Sequence, residues 1–288
     1  MLKERVLSAI VLIALVFAVL FLFSPFYFVL ALGAIVVLGV WEWTQFARFK
    51  QGVWRFVVTA VSGAFLFLWI LSNADYIDAG RAFSDLAEPL LLVAVIWWFV
   101  ALGMVVTYPK TAGIWGKSLI LQLIFAFNTL VPFLIGVASL RLENYTLNSL
   151  HGVQLLFYVL ILVWAADSGA YFAGRAFGKH KLAPKVSPGK TWQGVIGGLL
   201  TACALAFAFI SFMGENLFLH GNVQNLTALS VATVAVSVLG DLTESMFKRE
   251  SGIKDSGNII PGHGGILDRI DSLTAAVPFF AYFYFFWL

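Results

Sequence analysis

Charge is scarce in this chain. Its 288 residues are 61% hydrophobic and only 11% charged, against roughly a quarter charged in soluble domains, which excludes a fold surrounded by water. Cysteine is scarcer still. The single Cys203, set in an apolar run, excludes an intrachain disulfide and argues against a thiolate metal site; it reads as a small packing residue. Low-complexity tracts, Pro/Ser-rich linkers and internal repeats are also missing. One integral domain over 1–288 is therefore expected, with no nucleic-acid partner.

Long apolar runs are what the chain has in abundance. Nine of them approach the roughly 20 residues needed to cross a bilayer, at 6–23, 27–43, 53–71, 90–106, 119–140, 155–172, 192–213, 226–247 and 270–288. The expected fold is an all-α polytopic membrane protein of about nine transmembrane helices, five within 1–150 and four within 151–288. The first run follows "MLKER", but its length and the lack of a small-x-small site favour an uncleaved span over a signal peptide. Nine spans make the loops alternate sides, and all 18 basic residues except Arg81 and Arg141 then fall on one of them. By the positive-inside rule that side, with the N-terminus, is cytoplasmic. Trp41, Trp43, Trp97, Trp98, Trp192 and Trp287 fall near span ends, where indole rings favour the interface, and are read as anchors.

Acids collect on the same side. The purely apolar part of the eighth run, 226–239, has 14 residues, about 21 Å of helix against a hydrocarbon core of about 30 Å. The helix is expected to continue through "GDLTESMF", carrying Asp241 and Glu244 on one face at a spacing of three. "LDRIDS" does the same for Asp268 and Asp271, and "VWAADSGAY" puts Asp167 near the end of the sixth run. One such acid is readily a structural ion-pair partner. Five at one depth are harder to explain so, because each charge there costs a few kcal/mol or more. Two carboxylates 4 Å apart repel by about 4 kcal/mol at an effective dielectric near 20. A divalent cation removes that penalty, and oxygen-only ligands favour Mg²⁺ over zinc.

Bases suited to phosphate oxygens lie alongside: Lys248, Arg249, Lys254 and Arg269. No acid interrupts 168–214, where "SPGKTWQG" presents Ser187, Lys190 and Thr191 at a helix start, a place that attracts anions. Membrane topology alone would supply many of these lysines. The stretch is not a Walker A loop, because Pro184 stands five residues before Gly189. In "PGHGG", Gly264 and Gly265 allow close backbone approach and offer amide donors to a ligand. His263 is either a phosphate-binding or proton-transfer group or a structural loop histidine. These features together point to phosphoryl or nucleotidyl chemistry on a lipid head group. Intramembrane acids also mark ion pathways, so a transporter is the distant alternative. Against it, the polar groups sit on one side and almost wholly after Trp164.

The stretch "SMFKRESGIKDSGNIIPGHGGILDRID", 245–271, resembles the signature of the phosphatidate cytidylyltransferase (CDP-diacylglycerol synthase) family. That pattern runs S-x-apolar-K-R, four residues, K-D, then H-G-G-apolar-x-D-R-apolar-D, and every fixed position is matched. "GDLTES" and "WAADSGAYFAGRAFGKHKLAPKVSPGKTWQGVIGG" extend the likeness over 164–271, and "WEW" at 41–43 and the layout of the early spans carry it further. Gln193 departs from it, since many members have glutamate there. The resemblance implies that CTP and phosphatidate give CDP-diacylglycerol and pyrophosphate, in phospholipid biosynthesis, with Mg²⁺ and a possible K⁺ beside it. It implies a metal centre of Asp241, Asp268 and Asp271, with Lys248 engaging phosphate. Asp167, Ser187, Lys190, Thr191, Arg249, Lys254, His263, Gly264, Gly265 and Arg269 are the expected substrate-binding residues. A homodimer in a bacterial inner membrane, with its active site on the cytoplasmic side, is implied as well. A CTP-dependent lipid-alcohol kinase, which would release CDP, is the nearer alternative.

Overall fold

A segment in hydrocarbon must satisfy its own backbone hydrogen bonds, so apolar runs of this length fold as helices. The computed structural model describes residues 2–47, 49, 52–82, 84–218 and 220–288, and it is almost entirely helical. In chain order the elements are α1 (Leu2–Leu22), α2 (Pro25–Phe46), α3 (Gly52–Ser72), the short α4 (Ala74–Asp78), α5 (Ser84–Thr107), the short α6 (Ala112–Trp115), α7 (Leu119–Leu142) and α8 (His151–Phe177). Two strands follow, β1 (Lys181–Ala183) and β2 (Ser187–Thr191), then α9 (Trp192–Leu217), α10 (Val223–Ser251) and α11 (Leu267–Phe286).

Each expected run lies mainly within one of the long helices. Among the described residues, seven helices are long and apolar enough to cross a membrane: α2, α3, α5, α7, α8, α9 and α10. Helix α11 carries Asp268, Arg269 and Asp271 at its start, which dilutes its apolar character. The chain is a multi-pass membrane protein. Arg48 and Lys50, two of the basic loop residues counted above, lie outside the described residues.

The core is built around α11, which packs on α10, α7, α5 and α8, while α8 runs along α9. Helix α3 packs on α2 and α4 and buries only Leu66 and Ile70, leaving most of its apolar surface exposed. Small residues allow the closest approaches. A β-carbon at Gly136 in α7 would come within 3.1 Å of the Pro278 backbone in α11. One at Gly197 in α9 would strike the Ala173 side chain in α8.

The tryptophan expectation needs correction for half its members. Trp43, Trp97 and Trp98 are core residues at 4%, 4% and 3% exposure. Trp43 packs on Phe247 of α10 at 5.2 Å between ring centroids, and Trp97 on Phe125 of α7 at 4.7 Å. Phe125 and Trp115 reach the same Phe247 ring, at 5.9 and 5.3 Å. These rings bind the N-terminal half to the end of α10, because aromatic pairs add packing energy to their large buried area. Trp41 instead receives the Arg55 guanidinium over its ring at 4.3 Å.

Candidate active site

Helix α10 is 29 residues long, about 43 Å at helical rise. It thus continues past its apolar part through "GDLTESMF", as its length deficit demanded. Gly240 then decides what Asp241 faces. A β-carbon at Gly240 would collide with the Asp271 carbonyl oxygen and lie 3.0 Å from Ala275 Cβ, so α10 and α11 touch backbone to backbone there. The contact brings Asp241, Glu244 and Asp271 together, close enough to act on one another electrostatically.

Lys248 follows one turn after Glu244. Its Nζ lies 2.7 Å from Asp268 Oδ1 and 3.2 Å from Glu244 Oε2, with only 13% of its side chain exposed. Helix α10 stops at Gly252, whose φ of 73° is a left-handed conformation suited to glycine. Amides of Gly252 and Ile253 close the end on the Arg249 and Lys248 carbonyls, at 3.2 and 3.0 Å. The chain then folds back through 253–266 to the start of α11. There Asp268 Oδ2 accepts the Ser256 and Gly265 amides at 2.9 and 2.8 Å. Gly264, at φ 85°, is glycine for two reasons: that conformation, and a position where a β-carbon would be 2.8 Å from Asp268 Oδ2.

The third part is a hairpin. Strands β1 and β2 pair antiparallel, Lys181 with Thr191 and Ala183 with Ser187, and a bulge intervenes. The buried Thr191 caps α9 by accepting the Gly194 amide at 3.2 Å. Gln193, the departure from the family pattern, accepts the Lys179 and His180 amides at 3.1 Å each and meets His180 Nδ1 at 2.8 Å. Its neutral amide thus offers both an acceptor and a donor to the hairpin stem. At the other strand, Lys190 Nζ reaches Asp241 Oδ2 at 2.7 Å. Arg249 Nε donates to the Val186 carbonyl at 3.2 Å, holding the hairpin turn to α10.

The structure therefore brings together Asp241, Glu244, Lys248, Asp268, Asp271 and Lys190. Asp167 in α8 is near enough to feel Lys190 and Asp241. Gly265 is buried with its amide on Asp268, while Lys254 and Arg269 stand exposed at the surface. His263 donates its backbone amide to Ile260 at 2.9 Å. Ser187 is half-buried in β2. The hairpin itself was not expected. Nor was Glu42 of α2, fully buried at 0% exposure, whose carboxylate accepts hydrogen bonds from Ser256, Ile266 and Leu267. A lone acid between two tryptophans in an apolar run was the one signal for it.

The carboxylate cluster offers oxygen donors alone, the chemistry of a hard divalent cation. Among the described residues, no group of three or more His, Cys, Asp or Glu forms a ready-made metal cage. Such a cage is not what Mg²⁺ ordinarily uses. It is commonly held by one or two carboxylates with substrate phosphates and water completing the sphere, and the cluster fits that pattern.

Along its length the chain is similar to known proteins. The profile of the "Cytidylyltransferase family" matches residues 3–287. A protein of Haemophilus influenzae named phosphatidate cytidylyltransferase is 66% identical, over 99% of each chain. One of the same name from Pseudomonas aeruginosa is 44% identical, over 98% of this chain and 96% of its own. Another, from Staphylococcus haemolyticus, is 35% identical over 77% of this chain and 95% of its own. With likeness running from end to end, this chain belongs to the cytidylyltransferase family.

Proposed function

We propose that this protein transfers the cytidylyl group of CTP to phosphatidate, giving CDP-diacylglycerol and pyrophosphate. The observation that carries the reading is the meeting of four carboxylates and two lysines where α10, α11 and the hairpin join. A triphosphate and a lipid phosphate bring charge that such a site is built to neutralise. The names of the full-length relatives support the same substrates.

In the reaction, a phosphatidate phosphate oxygen forms a bond to the α-phosphorus of CTP, opposite the leaving group. The bond from that phosphorus to the oxygen bridging it to the β-phosphorus breaks, and its electron pair leaves with pyrophosphate. The lipid phosphate is already an anion near neutral pH, so the nucleophile needs little help from a base. Lys190 and Lys248 are held by Asp241 and Asp268 rather than free to swing in solvent. Their ammonium groups thus stand fixed beside the developing charge on the equatorial and leaving oxygens. Asp241, Asp268 and Asp271 are the residues that would hold Mg²⁺, with K⁺ as a second cation. When bound, Mg²⁺ supplies charge neutralisation on the transferring and leaving phosphates.

In this reading the site faces the cytoplasm of a bacterial inner membrane, where CTP is available, and phosphatidate enters sideways from the bilayer. The basic loops support that orientation. The functional unit is a homodimer. The test is purified protein in detergent with phosphatidate, Mg²⁺ and each of the four nucleoside triphosphates in turn. Pyrophosphate release with CTP is the expected result, and its loss is expected in folded Asp241→Asn, Asp268→Asn and Asp271→Asn. Near-normal turnover in all three would refute the carboxylate centre, and CDP as co-product would turn the reading to a lipid kinase.

A further inference from the structure

Glu42 is an acid with 0% exposure in an otherwise apolar helix. Its Oε1 accepts the Ile266 amide at 2.9 Å, and its Oε2 accepts the Leu267 amide at 2.8 Å and the Ser256 hydroxyl at 3.0 Å. The two amides open helix α11, and first-turn amides have no acceptor within their own helix. That end of the helix also carries the positive end of its dipole, which favours a carboxylate. A local Ser, Asp or Asn usually does this work. Here the N-cap position is Ile266, which makes no side-chain cap bond, so the cap comes from α2.

The network then runs on to Asp268. The Ser256 hydroxyl that donates to Glu42 accepts the Asp268 amide at 3.3 Å, and the Ser256 amide donates to Asp268 Oδ2 at 2.9 Å. The loop is shaped around the buried acid. A β-carbon at Gly265 would sit 2.6 Å from each Glu42 carboxylate oxygen, and one at Gly257 would collide with Glu42 Oε1. Gln45, one turn along α2, donates to the Ser256 carbonyl at 2.6 Å and ties the same loop down.

We propose that Glu42 is a positioning residue for nucleotidyl transfer, fixing Asp268 and Asp271 through Ser256 and the first turn of α11. This rests on the reading of those two aspartates as part of the active site. It makes the N-terminal half of the chain part of the catalytic machinery, since α2 supplies the anchor on which the motif loop is set.

The test uses full-length protein in detergent with four substitutions: Glu42→Gln, Glu42→Asp, Ser256→Ala and Asp271→Asn. Three quantities are read: kcat and KM for CTP, the melting midpoint, and amide exchange of peptides covering 253–268 without substrate or added metal. Glu42→Gln turns one of its acceptors into an N–H group facing donors. It should lower kcat by about tenfold or more, the scale of a lost charge-assisted hydrogen bond, with KM for CTP within about threefold. Exchange over 264–268 should quicken while that of α8 and α9 stays unchanged. Glu42→Asp keeps the charge and should recover part of the kcat. A merely structural role would lower the melting midpoint and leave kcat per folded molecule intact. Folded Glu42→Gln with wild-type kcat, or with lost kcat but unchanged exchange over 264–268, overturns the proposal. If Glu42→Gln does not fold, Ser256→Ala decides: slower turnover with quickened exchange supports the proposal, and unchanged values of both refute it. Asp271→Asn separates the two ideas. Retained turnover there removes the active-site reading itself, and the proposal with it. Lost turnover there beside a normal Glu42→Gln removes the Glu42 role alone.

Discussion

Replacing Lys248 with methionine leaves the stem packed and takes away one charge. In the protein, that charge lies 2.7 Å from Asp268 and 3.2 Å from Glu244, and those two side chains are each only 6% exposed. Removing one partner of a buried ion pair costs about 3–5 kcal/mol, because the other charge is left uncompensated. For a chain of this size that is a fall of roughly 5–8 °C in melting midpoint. Adding Glu244→Gln removes one of the stranded charges, and should restore about half of the lost stability. Turnover should not return with it. If Lys248 stands beside the reacting phosphates as proposed, loss of its charge should lower kcat about 100-fold in both variants. Melting of purified protein in detergent and pyrophosphate release measure the two effects separately. A Lys248→Met protein that melts within about 2 °C of wild type would refute the stability argument. A double variant with restored turnover would refute the placing of Lys248 at the phosphates.

Gly240→Ala should force α10 from α11, since its new methyl meets the Asp271 carbonyl and lies 3.0 Å from Ala275. Overpacking costs about 1–3 kcal/mol, and a displacement near 1 Å lowers kcat about 100-fold, whereas Gly103→Ala, with nothing within 4 Å, should leave both turnover and melting unchanged. Arg141→Met tests the opposite end of the bundle. The buried guanidinium donates to the Leu20 carbonyl at 3.1 and 2.9 Å, tying α1 to α7. Its loss should cost about 2 kcal/mol of stability and leave kcat per folded molecule unchanged; a melting midpoint equal to wild type counts against it.

Long helices were legible because hydrophobicity over twenty residues is a property of the local sequence. The extension of α10 past Leu239 was legible too, since a 14-residue apolar core is too short to cross. The hairpin was not. Its strands have three and five residues, and Pro184, Pro188 and a run of lysines gave them the look of a loop. The tryptophans misled because position near a span end says nothing of which way a helix face turns; Trp43 and Trp97 point inward to Phe247 and Phe125, and Trp98 lies buried beside Trp97. Glu42 was hidden by distance, 214 residues from Ser256 and 225 from Leu267. Local spacing showed that Asp241 and Glu244 share a face. Only the folded chain shows that Lys190 completes the pair with Asp241.

Cytidylyl transfer is distinguished from phosphoryl transfer by the fate of phosphorus labels in CTP incubated with phosphatidate and the purified protein. The α-phosphorus label should enter the lipid product, in step with release of pyrophosphate that carries the β- and γ-phosphorus. Label from the γ-position in lipid, with CDP released, would contradict cytidylyl transfer.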